Sequence, residues 1–209
     1  MNKLEKALSS FLSLGEVAGQ LARLLAHAAK TGRVSYSEAE RIAKVNAEDV
    51  LLLGSKWRLL LPIRTAKSAA WEDRLLLTEP GEIYEMPNIV RYLVENASYT
   101  GRWDVAYDIA QLFRVMGEPD WDRMPKFIER LGEEAKDYRI NAVQIKQVCA
   151  ELGMGDRVDA LIASLKGSGV MSPKLSSLAE VAKAGAPVYE LNPSLVVNKH
   201  ERKGVIEPG

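Results

Sequence analysis

The stretch Ile145–Leu165, IKQVCAELGMGDRVDALIASL, decides how this chain folds on paper. Ile145, Val148, Cys149 and Leu152 fall at i, i+3, i+4 and i+7, one face of a helix. Val158, Leu161, Ile162 and Leu165 repeat that spacing. Between the two sets, Leu152-Gly153-Met154-Gly155 leaves room only for a tight turn. Glycine suits such a reversal, because a left-handed φ costs a residue with a Cβ roughly 1–2 kcal/mol. The pattern predicts two short amphipathic helices, Ala142–Leu152 and Asp156–Lys166, with Asn141 capping the first.

Working outward, Trp121–Tyr138 predicts a preceding helix that buries Met124, Phe127, Ile128 and Leu131. Gly167-Ser-Gly169 stops the last helix, and Val170–Lys174 follows. A loop or short helix then runs through Ala184 to a returning strand at Pro187–Leu191, which Asn192-Pro193 ends. The first part of the chain has the same plan. Leu14–Lys30 carries Val17, Leu21, Leu24, Leu25 and Ala28 at helical spacing. Ser35 or Ser37 caps a helix over Glu38–Val45, and Asn46 caps another over Ala47–Gly54, with Val50, Leu51 and Leu53 inward. Trp57–Ile63 and Trp71–Leu77, with a polar tip between them, predict a β-hairpin. Between the two blocks, helices at about Asn88–Ala97 and Trp103–Met116 present apolar faces. Such a pair either packs the blocks together or joins two chains as a homodimer.

The segment Val148–Gly155 resembles the helix-turn-helix of phage and bacterial repressors. In that motif a small residue packs between the helices, here Cys149, and apolar residues flank the turn glycine, here Leu152, Gly153 and Met154. The recognition helix departs from it, because the usual inward apolar position falls on Asp159 and Val158 stands one place early. Together with the strands that follow, this is similar to the winged-helix variant of the superfamily. The resemblance covers about twenty residues directly and roughly eighty through the wing; the first block carries it more weakly, since its turn lacks a glycine. It implies a mainly α protein with short β-hairpins (α+β): a winged helix over 1–80, a helical connector over 81–118, a second winged helix over 119–198 and a flexible basic tail over 199–209.

Composition narrows the function. The 209 residues contain 47% hydrophobic and 27% charged residues, enough for a core. Basic and acidic residues number 28 each, so there is no global electrostatic footprint for nucleic acid. Cys149 is the single cysteine, which excludes an internal disulfide and predicts a reducing, cytoplasmic setting. With only His27 and His200 beside it, no standard metal spacing exists. Phe11–Ala29 is interrupted by Glu16 and Arg23, unsuited to a membrane span or a signal-peptide core. No phosphate-binding loop, dinucleotide fingerprint, serine elbow or zinc-protease pair occurs, so neither an enzyme nor a cofactor is expected.

Two ligands remain, double-stranded DNA or another protein. From Val50 to Trp71 the only charged residues are Lys56, Arg58, Arg64 and Lys67, a bias that suits a wing tracking phosphates. The same pattern also arises where basic side chains guard strand edges. In the second block Arg157 is placed to read guanine, with Ser164, Lys166 and Lys174 nearby in sequence. These eight residues are the expected contacts of a DNA-binding transcriptional regulator. Against DNA stand the acidic starts of the third helix in each block, Glu48 and Asp49 in one, Asp156 and Asp159 in the other. Those favour the alternative, a winged-helix scaffold for protein partners. Trp57, Trp71, Trp103 and Trp121 adjoin apolar runs and are expected in the core.

Overall fold

The computed structural model describes residues 1–12, 15–174 and 185–196. The expected loop or helix before Ala184 and the tail at 199–209 lie outside the described residues. The first half comprises α1 (Lys3–Leu8), α2 (Glu16–Ala28), β1 (Arg33–Ser35), α3 (Tyr36–Ala43), a 3-10 turn at Lys44–Asn46, α4 (Ala47–Lys56), β2 (Leu61–Pro62) and β3 (Ile83–Glu85). Helices α5 (Asn88–Thr100) and α6 (Val105–Val115) lead into the second half. There α7 (Met124–Glu134), β4 (Arg139–Asn141), α8 (Ala142–Glu151), a 3-10 turn at Gly155–Arg157, α9 (Val158–Ser168), β5 (Met171–Pro173) and β6 (Val188–Leu191) follow. The protein is α+β, with two small antiparallel sheets ordered β1-β3-β2 and β4-β6-β5. From α2 and from α7 onward, the same element order runs twice.

In each half a strand passes into a helix through a single residue. Ser35 ends β1 and caps α3: its Oγ accepts from Glu38 N at 3.3 Å, while the Glu38 carboxylate accepts from Ser35 N at 2.8 Å. Asn141 ends β4 and caps α8 in the same reciprocal way with Gln144, at 2.9 and 3.0 Å. Each cap satisfies two backbone donors that would otherwise lack partners. In the central strands, Tyr84 stands opposite Val34, and Tyr189 opposite Ile140. Pro62 and Pro173 sit on edge strands, where a missing N–H breaks no ladder.

The first sheet departs from the expected hairpin. Trp57 caps the C-terminus of α4, and β2 pairs not with residues 71–77 but with Ile83–Glu85. Residues 71–77 hold no strand because the backbone there bonds elsewhere: Trp71 N donates to Ser172 Oγ of the other half at 2.9 Å, and Leu75 O accepts from Thr65 Oγ1. The strand that completes the first sheet therefore lies past residue 80, inside the stretch expected to be connector.

One continuous core joins the halves, from Leu21, Leu25 and Val50 through Leu93 and Phe113 to Phe127 and Leu165. Helix α5 packs on α1, α2 and α6, and α6 packs on α7, so the connector pair binds the two blocks within the chain. The seam is also polar. Asn192 Nδ2 donates to the carbonyls of Arg58 (3.1 Å) and Gly169 (3.3 Å), and Trp103 Nε1 donates to Ser194 O at 3.0 Å. Trp71 is buried, and Trp57 and Trp103 flank Phe11 at ring-centroid distances of 5.0 and 5.2 Å. Trp121 packs partly against the core beneath the Arg114 guanidinium.

Candidate interaction surface

Two short helices meet at a tight turn as the spacing predicts, but a 3-10 turn at Gly155–Arg157 moves the start of the second from the expected Asp156 to Val158. Gly153 takes a φ of +68°, Cys149 on α8 is fully buried, and Met154 N closes the turn onto Cys149 O at 2.7 Å. Burial pushes the Cys149 thiol up to about 11, so it stays protonated at neutral pH and is a packing group.

The outer faces of α4 and α9 are exposed. Ahead of and along α4, Val45, Glu48, Asp49, Leu52 and Lys56 follow at i, i+3, i+4, i+7 and i+11, a single exposed stripe. Val45 is 94% exposed and Leu52 59%, with the two carboxylates between them. On and just before α9, Asp156, Asp159, Ala160, Ala163 and Lys166 are exposed. Neither face carries a basic cluster. Leu75, Leu77 and Ile83, beside the first sheet, are exposed as well.

The eight residues expected to contact DNA separate into two sets. Five have partners within the chain. Arg58 Nε donates to Glu190 Oε1 at 2.8 Å across the seam. Arg64 Nη1 lies 2.9 Å from Oε1 of the fully buried Glu82, an ion-pair contact whose angle falls short of a hydrogen bond. Arg157 Nη1 contacts Glu118 Oε1 at 2.6 Å and Asp120 Oδ2 at 2.5 Å, and Ser164 Oγ donates to the other Glu118 oxygen at 3.4 Å. Lys174 pairs with Glu72. The remaining three, Lys56, Lys67 and Lys166, are exposed and have no carboxylate partner among the described residues. The structure thus gathers Arg157 and Ser164 into one acidic-centred cluster, and it does not join the eight into a stripe.

The sequence reading missed the partners Glu82, Glu118, Asp120 and Glu190. For Glu190 no local signal exists, since it lies 132 residues from Arg58. It also missed Arg74, whose Nη1 donates to Glu85 Oε1 at 2.5 Å and to Pro62 O at 3.3 Å, tying the residues 71–77 to the sheet. Among the titratable groups away from these faces, Asp108 is buried between α5 and α6. Desolvation pushes its carboxyl up to about 6, against a hydrogen bond from Asn96 Nδ2 at 3.1 Å. Among the described residues, no group of three or more His, Cys, Asp and Glu side chains is placed to hold a metal ion. No helix among them is long and apolar enough to cross a membrane.

No curated protein and no solved structure matches the chain. A protein-family model does match, over residues 2–202, and that span takes in both repeats of the element order and the helices between them. The chain belongs to that family.

Proposed function

We propose that this chain is a tandem winged-helix protein that serves as a docking scaffold for a protein partner, with α4 as the recognition helix that receives it. The repeated order of helix, strand, helix, helix, strand, strand, with the last strand central in each sheet, supports the winged-helix reading. The single observation that carries the function is the exposed stripe Val45, Glu48, Asp49, Leu52. Apolar contact at both ends and two carboxylates between them suit a partner segment that presents apolar side chains flanking a lysine or arginine. A phosphate backbone would meet the same carboxylates and be repelled. The test is a photo-crosslinking residue placed at position 52 in cells. A discrete protein adduct, lost when Glu48 and Asp49 are changed to lysine, is the expected result; nucleic-acid adducts alone would refute it.

A second reading, a DNA-binding transcriptional regulator, is favoured by one observation: Lys56, Lys67 and Lys166 stand exposed without carboxylate partners among the described residues. It requires duplex binding that weakens steeply with salt and disappears when these three lysines become glutamate.

A further inference from the structure

Among the described residues, a group of basic side chains with few carboxylate partners lies away from both outer helix faces. A groove of about 510 Å³ opens where α1, α2, α3 and α5 meet. Arg23 and His27 line it from α2 at i and i+4, Lys30 from the turn just past the end of α2, Arg41 from α3 and Lys3 from α1. Leu4, Ala22, Ala26 and Ile42 give it an apolar floor, and Asn2 and Ser98 add polar groups at the rim.

The charge is unbalanced. His27 Nε2 is engaged by Glu38 at 2.9 Å, and that carboxylate is itself held by the Ser35 cap. Glu5 accepts from Asn2 N at 3.2 Å and closes the cap of α1. Among the described residues, neither carboxylate is within ion-pair distance of Lys3, Arg23, Lys30 or Arg41. Lys3 Nζ donates to Tyr99 O at 2.7 Å, which holds an ammonium at the edge without neutralising it. Arg23, Lys30 and Arg41 have no carboxylate within ion-pair distance among the described residues. Elsewhere Arg58, Arg64, Arg74, Arg91, Arg130 and Arg157 have one, while Arg33, Arg102, Arg114 and Arg139 have none among the described residues and do not gather in one groove.

We propose that this groove binds a small molecule carrying two or more phosphate groups on an apolar or ring-shaped body, as a nucleoside polyphosphate does. Like charges lining a concavity focus a positive potential there, and they repel one another until an anion enters. Arginine forks match phosphate oxygens in pairs, and Lys3, Arg23, Lys30 and Arg41 have no carboxylate within ion-pair distance among the described residues. The volume is that of an ordinary ligand pocket, roughly 300–1,000 Å³, and the alanine-lined floor leaves room for a flat apolar body. The site is independent of the α4 docking face, so either can stand without the other.

Calorimetric titration of the full chain tests this with four probes: a nucleoside triphosphate, inorganic tripolyphosphate, the unphosphorylated nucleoside and a short DNA duplex. The triphosphate is expected to bind best and tripolyphosphate more weakly, with no heat from the nucleoside. Arg23→Ala with Arg41→Ala should weaken the triphosphate at least about tenfold, and Lys30→Ala alone by a smaller factor. Lys126→Ala, whose ammonium pairs with Glu129 on α7, should change nothing. Arg23 and Arg41 are exposed, so their loss should leave the thermal melt in place, and the melt is recorded beside each titration. The assignment is overturned by no binding of either phosphate compound, by equal affinity of wild type and the double variant, or by binding of the duplex alone.

Discussion

Arg58 Nε donates to Glu190 Oε1 at 2.8 Å, and the Arg58 carbonyl accepts from Asn192 Nδ2, so one residue is bound to the other half at both ends. Its backbone has a φ of +53°, left-handed, just past the end of α4. After α9, the matching place is taken by Gly169, with a φ of +78°. Arginine at such a position carries a strain of roughly 1 kcal/mol that glycine avoids. The seam contacts offset it. Arg58→Ala should therefore lose the pair and keep the strain, lowering stability by about 1.5–3 kcal/mol, the range for hydrogen bonds to charged groups. Arg58→Gly loses the pair but relieves the strain, and should be the milder of the two by urea unfolding. A glycine variant less stable than the alanine one would show that the φ carries no strain.

Arg64 is a structural partner before it is a surface charge. It is the cation beside Glu82, whose side chain is fully buried. Removing it leaves a desolvated carboxylate alone, and breaking a buried pair from one side costs about 3–5 kcal/mol; the guanidinium is 55% exposed, which puts the expectation at the low end or below. Arg64→Glu should be worse than Arg64→Ala, and Arg64→Ala with Glu82→Gln should recover most of the loss in a thermal-melt cycle. A double variant as unstable as the single one would remove Glu82 as the cause.

Gly169 holds the end of α9 against the connector. A Cβ built there would meet Pro87 Cβ at 2.5 Å, and the residue also needs its positive φ. Steric overlap and backbone strain add, so Gly169→Ala should destabilise by about 2–4 kcal/mol. Gly153, with a similar φ but open space around its Cβ position, should cost only the backbone part, about 1 kcal/mol. Equal effects at the two positions would mean that the Pro87 contact relaxes away.

The contrast between these residues explains how much was legible in the sequence. The helices around Ile145–Leu165 followed from apolar spacing, and Asn141 and Gly153 followed from local backbone chemistry. Both signals are written within a few residues. The three-residue strands β1 and β4 are too short to show a period of two, and they were missed. Residues 71–77 looked like a strand because Leu75-Leu76-Leu77 is apolar, yet the true partner of β2 is Ile83-Tyr84-Glu85. A local signal for it did exist: Val188-Tyr189-Glu190 repeats that pattern in the equivalent strand of the second half. The fate of the basic residues was not legible at all. Arg58, Arg157 and Lys174 find carboxylates 132, 37 and 102 residues away, and only the packed fold brings them together.

Asp108 makes stability depend on pH in a direction that is unusual for a carboxylate. It is 2% exposed, its carboxyl is pushed up to about 6 by desolvation, and the hydrogen bond from Asn96 only partly counters that. The folded value lies above the ordinary one of 3.8. Below about pH 4 the folded and unfolded chains both carry the proton, and this group's contribution is fully present. As pH rises towards and through about 6, the unfolded chain ionises freely while the folded chain must either keep its proton or bury an anion. Stability from this residue is lost across that window, by at most about 2–3 kcal/mol for a shift of roughly two pH units. Asp108→Asn keeps an oxygen to accept from Asn96 and removes the titration. The D108N protein should match wild type near pH 4 and exceed it at neutral pH when urea midpoints are compared. Parallel profiles for the two proteins would place the pH dependence elsewhere in the fold.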